Sequence, residues 1–238
     1  MNNTTTSILL VEGESDKLFF DCLLKYLNKE SSATKVDAIS FQKIEGSDEK
    51  KITAAFKSNR TDLRTNQITH LGIVLDIDDY SKAERILQIN NAIKLSLSEY
   101  NVPEFTEDIK TVNFDINGKR KISFSYFLIA DNSGKGNLES LLQNIVITEP
   151  TAANCLNEWL TCTKKNGINI KESDFLKFWR DVYVRYDYCA DKQLSKHASE
   201  NCTFEKSLVN MLIDEKAKAW NFEAETLKEL RTYLSQFI

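Results

Sequence analysis

The spacing of apolar and polar positions changes several times along this chain, and each change marks an element. Ile8-Leu9-Leu10-Val11 is an unbroken apolar run that stops on Glu12-Gly13-Glu14-Ser15-Asp16. That is the pattern of a buried strand, a tight turn and a helix start. Leu18, Phe19, Cys22, Leu23, Tyr26 and Leu27 then recur at helical spacing. Val36 to Ile44 alternates weakly and predicts a second strand, and 48–60 predicts a polar helix with Ile52, Ala55 and Phe56 inside. Thr69 to Leu75 has no polar alternation, as expected of a strand covered on both faces. It runs into Asp76-Ile77-Asp78, and a helix over 81–99 follows, with Ser81 as its cap and Ala83, Ile86, Leu87, Ile93 and Leu97 on one stripe.

From 110 the pattern shifts. Thr111 to Ile116 alternates, Asn117-Gly118 is a hairpin turn signal, and Lys121 to Ile129 continues as a strand that returns to the sheet. Asn137 is placed to cap a short helix carrying Leu138, Glu139, Leu141, Leu142 and Ile145. Beyond Pro150 the pattern is helical, over 151–163, 172–190, 204–218 and 223–237. The second of these carries Phe175, Phe178, Trp179, Val182 and Tyr186 at the spacing of a buried face. The reading is therefore α/β: a mostly parallel sheet flanked by helices over 1–147, with a hairpin insertion at about 110–125, and a helical extension over 148–238 packed on it.

Composition narrows this further. Two prolines and seven glycines in 238 residues leave little room for long linkers. Residues 1–7 lack a basic segment and a hydrophobic signal core, and no apolar run approaches the roughly 20 residues that span a bilayer, which predicts a cytoplasmic protein without a membrane partner. The five cysteines form no C-x-x-C pair, so the scatter predicts neither a disulfide framework nor a zinc site. A net charge of −4 is not the footprint of a tight duplex binder, although local basic patches can still contact phosphates.

The chemistry lies where the two apolar runs end. If both strands lie side by side in one parallel sheet, Glu12, Asp76 and Asp78 meet at its carboxyl edge, where open α/β sheets bind ligands. Three carboxylates without a nearby base suit a hard divalent cation, Mg²⁺ or Mn²⁺. Asp16 falls four residues after Glu12 and could point back toward the strand end. Ser133-Gly134-Lys135-Gly136 fails the phosphate-loop pattern of an ATPase, leaving Lys135 as a candidate contact for a substrate phosphate.

A strand ending in Glu-Gly with an acidic helix start, followed by a strand ending in Asp-x-Asp, resembles the Toprim domain. The likeness covers about residues 7–146 and is strongest to stand-alone bacterial Toprim-like proteins related to overcoming-lysogenization-defect nucleases. It implies a Rossmann-like Toprim sheet and a metal-dependent nuclease acting on DNA or RNA. Glu12 would be general acid/base, with Asp76 and Asp78 holding Mg²⁺. It also implies further metal ligands, matched here by Asp16, Asp131 and Glu139, and a role in nucleic-acid processing or phage defence beside a separately encoded ATPase. Two other readings stand. A Toprim-like module could bind metal, nucleic acid or a partner without turnover. A haloacid-dehalogenase-like phosphatase would use Asp76 as nucleophile but leaves Glu12 unexplained. The helical extension could serve as a homodimer interface or as a lid.

Overall fold

The computed structural model describes residues 6–31, 39–65, 68–116, 118, 120–130, 135–190, 202–213 and 218–238. Two units divide the chain, Met1–Gly136 with Glu229–Ile238, and Asn137–Lys228.

The first unit is built on five strands: β1 (Thr6–Val11), β2 (Ile39–Lys43), β3 (Ile68–Asp76), β4 (Thr111–Ile116) and β5 (Arg120–Ile129). Their order is β2-β1-β3-β5-β4, with β4 antiparallel to β5 and the other pairs parallel. The apolar runs of β1 and β3 are therefore neighbours, with Leu9 opposite Gly72 and Leu10 opposite Ile73. Successive side chains alternate between faces. Ile8, Leu10, Leu71, Ile73 and Leu75 share a core with Ile52 and Phe56 of α2 (Glu49–Ser58) and Ile86, Ile89 and Ile93 of α4 (Lys82–Ser96). On the other face Leu9 and Gly72 lie under the chain's last helix, α10 (Lys228–Leu234). A Cβ on Gly72 would come within 2.3 Å of Phe237 and 2.7 Å of the Tyr233 hydroxyl, so this strand needs a glycine where helix and sheet meet. Beside it, His70 stacks on Phe237 and shares a 3.0 Å hydrogen bond with Ser125.

Helix α1 (Glu14–Ser31) follows Glu12-Gly13 directly. The polar helix expected over 48–60 is broken at Asn59, where α3 (Arg60–Arg64) begins. The buried Asn59 amide donates to the Ala55 carbonyl and to Gln42 on β2, which fixes the break. In α4 the Ser81 cap forms a full capping box with Glu84. The inner stripe differs from the expected one. Ala83 and Leu87 are exposed, and Arg85 is fully buried beside Ile86 and Ile89.

The second unit carries α5 (Leu138–Gln143), α6 (Thr151–Asn154), α7 (Leu156–Lys165), α8 (Glu172–Val182) with a π-helical turn over Tyr183–Tyr188, and α9 (Phe204–Ile213). The Asn137 cap holds. Trp179, Tyr183, Trp220 and Phe204 form an aromatic core. Phe178 and Tyr186, expected inside, are exposed. The π-turn adds a residue per turn and carries Tyr183, Val184 and Asp187 inward instead. The Asp187 carboxylate then accepts from the Ala152 and Ala153 N–H groups at the start of α6, at 2.7 and 2.9 Å. The absence of a disulfide is also corrected: Cys189 and Cys202 are bonded, with Cα atoms 6.1 Å apart. Their spacing of 13 carries no signature, since only the fold brings Cys202 to the end of the π-turn.

No helix among the described residues is long and apolar enough to cross a membrane.

Candidate metal centre

Each acidic side chain of the site is set by backbone that the sheet holds in place. β1 stops at Val11, whose carbonyl accepts from the Ile44 N–H at 2.8 Å. The Glu12 carbonyl accepts from the N–H groups of Glu45 (3.0 Å) and Gly46 (3.3 Å), so the loop after β2 pins the end of β1. That loop turns through positive φ at Glu45 and Gly46. The Glu12 side chain crosses to β3, where Oε1 accepts from the Asp76 N–H at 2.9 Å.

Asp76 is the last residue of β3, and the chain then leaves the sheet in a turn that is tied at three points. The Ile77 N–H donates to Ile129 O, the Asp78 N–H to Gly136 O and the Tyr80 N–H to Ile77 O, at 3.2, 3.0 and 3.0 Å. Asp78 takes a φ of 51°, a left-handed conformation that aspartate tolerates better than most residues. The turn makes Asp78 a neighbour of Glu12 and Asp76. Among the described residues these three form the group able to hold a metal ion, each offering one carboxylate oxygen and all three oxygens within 4.8 Å of one another.

Burial dominates the electrostatics. It raises the Glu12 carboxyl from an ordinary value of 4.5 to about 7. The Asp76 N–H and the Arg85 guanidinium oppose the rise, while Asp16 and Asp78 add to it. Glu12 thus sits near the point where a proton is given or taken at neutral pH.

Arg85 is the residue that the sequence reading missed. Nη2 donates to Asp78 Oδ2 and to Ser47 Oγ, both at 3.1 Å, and Nη1 to Ser47 O (2.9 Å) and Gln88 Oε1 (3.1 Å). Its Cζ lies 4.2 Å from the centre of the Tyr80 ring. A charged residue at the inner position of α4, one place before Ile86 and four before Ile89, was the available signal.

The other candidates fall as follows. Asp16 lies in the first turn of α1, and its Oδ2 accepts from the Gly13 N–H at 3.0 Å. Lys135 is exposed and precedes Gly136, whose carbonyl holds the Asp78 turn. Asp131 lies outside the described residues. Glu139 belongs to the second unit, where it is buried and paired with Arg180 at 3.1 Å. Its carboxyl is raised by burial and lowered in part by that arginine.

Two solved structures are similar to the chain: the C-terminal region of the OLD protein of Xanthomonas campestris pv. campestris, phased with platinum and with mercury. Each has a TM-score of 0.39 at 12% identity; the alignments cover 98% of this chain and 95% and 97% of those chains. A likeness of that degree carries no argument about this chain. Among curated proteins nothing matches. Residues 6–238 match the family described as "Protein of unknown function (DUF3226)", and the chain belongs to that family.

Proposed function

We propose that the chain is a metal-dependent nuclease that cleaves nucleic-acid phosphodiesters at the Glu12, Asp76 and Asp78 edge. The observation that carries this reading is the meeting of three carboxylates from two neighbouring parallel strands, within 4.8 Å, at the carboxyl end of the sheet. The donor set is all carboxylate oxygen, with no histidine or thiol, and so fits Mg²⁺ or Mn²⁺ rather than a softer ion. When bound, such an ion supplies Lewis-acid stabilisation of charge developing on phosphate oxygens.

The chain's own residues do the rest. Asp76 and Asp78 hold the ion, Asp78 being steadied by Arg85. Glu12 carries a proton near neutral pH and is placed to act as general acid/base, its orientation set by the Asp76 N–H. Lys135 is placed by sequence beside the Asp78 turn and would contact substrate phosphate. Glu139, already neutralised by Arg180, has no part in this assignment. The phosphatase reading leaves the half-buried Glu12 without a role. The Glu-Gly and Asp-x-Asp strand ends support a Toprim-type assignment of the same residues.

The test is cleavage of plasmid, single-stranded DNA and RNA with Mg²⁺ or Mn²⁺ by wild type, Glu12→Ala and Asp76→Ala. Metal-dependent cutting that disappears in both variants is expected. Cutting that survives in both, or no cutting by wild type, overturns the reading.

A further inference from the structure

We propose that Tyr80 is a stacking platform for one base of the bound strand, so that the site takes nucleic acid with unstacked, single-stranded bases. The inference rests on the nuclease reading and deepens it. Tyr80 lies two residues beyond Asp78 and is 41% exposed. It is not a loose surface side chain. Its N–H closes the turn onto the Ile77 carbonyl, and one face of its ring is covered by the Arg85 guanidinium at 4.2 Å. Arg85 itself has no exposed surface, and its guanidinium is hydrogen-bonded to Ser47, Gln88 and Asp78. An aromatic residue with a guanidinium over one face of its ring and two-fifths of its surface exposed is pre-organised to stack.

Distance ties the ring to the chemistry. Arg85 touches both the Tyr80 ring and Asp78 Oδ2, which places the ring centre within about 9 Å of that oxygen. A stacked strand advances about 3.4 Å per nucleotide, so the ring meets a base at most about three nucleotides from a phosphate bound by an ion at Asp78. A duplex hides the faces of its bases, whereas a single strand offers them.

The experiment measures binding of fluorescein-labelled single-stranded and duplex oligonucleotides, with Ca²⁺ in place of Mg²⁺ so that the strand is not consumed. Wild type is compared with Tyr80→Phe and Tyr80→Leu, and single abasic sites are walked along the strand. Tyr80→Leu is expected to weaken single-strand binding about five- to hundredfold, the worth of one base–aromatic stack. Tyr80→Phe should stay within about twofold of wild type, and duplex binding should not change. One abasic position should reproduce the loss in wild type and add nothing in Tyr80→Leu. Equal binding by all three proteins overturns the proposal. So does a Tyr80→Leu loss that is the same for single strands, duplex and every abasic strand, because that marks a structural role. A protein that cuts nothing with Mg²⁺ yet binds through Tyr80 loses the nuclease reading and keeps the platform. One that cuts independently of Tyr80 keeps the former and loses the latter.

Discussion

Replacing Glu12 by glutamine keeps the shape of the side chain and an oxygen able to accept from the Asp76 N–H, but removes the ionisable group. A Glu12 pKa of about 7 rather than 4.5 means that the folded state holds this proton more tightly than the unfolded chain, by about 3 kcal/mol. That stabilisation is complete below pH 4.5 and is lost as the pH rises through 7. Glu12→Gln does not titrate, so without metal it should match wild type near pH 4.5 and exceed its stability by about 3 kcal/mol at pH 8. At pH 8, Mg²⁺ at 100 times the wild-type Kd should narrow that gap by up to about 2.7 kcal/mol, because the variant offers the ion one carboxylate fewer. The three tryptophans, at 159, 179 and 220, all belong to the second unit, so their fluorescence is the wrong readout. Hydrogen exchange at the β1 and β3 amides reports the right one. A difference between the two proteins that stays constant from pH 4.5 to 8 would refute the electrostatic argument.

Other substitutions test the packing within each unit. Gly72→Ala puts a methyl group against Phe237, Tyr233 and Leu9 and should cost about 1–3 kcal/mol, measured by exchange at β3, with Phe237→Leu restoring part of the loss. Asp187→Ala leaves the Ala152 and Ala153 N–H groups unpaired in a buried place and should cost the second unit about 1–3 kcal/mol, read by urea unfolding followed through tryptophan fluorescence. Glu139→Ala removes one of two carboxylate partners of Arg180, Asp181 remaining at 3.0 Å, and should cost about 1–3 kcal/mol by the same assay, while Glu139→Gln, which can still accept, should cost less.

Much of the sheet was legible in the order of residues. The runs at Ile8–Val11 and Leu71–Leu75, the hairpin signal at Asn117-Gly118, and the Ser81 and Asn137 caps are local patterns with local causes, and β1, β3, the β4–β5 pair, α4 and α5 form where those patterns stand. The meeting of Glu12 with Asp76 and Asp78 was legible only as a condition, because it needs β1 and β3 to be neighbours. The pairing of Leu9 with Gly72 supplies that condition. Other features had no local pattern to betray them. The burial of Arg85 depends on Ser47 and Asp78 arriving from two other loops. The outward turn of Tyr186 depends on a π-turn, and the Cys189–Cys202 bond on how α9 returns to it. Periodicity records which side of an element faces inward, since burial acts on each residue where it stands. Partners distant in sequence are chosen by packing, and that choice is made only when the whole chain closes on its core.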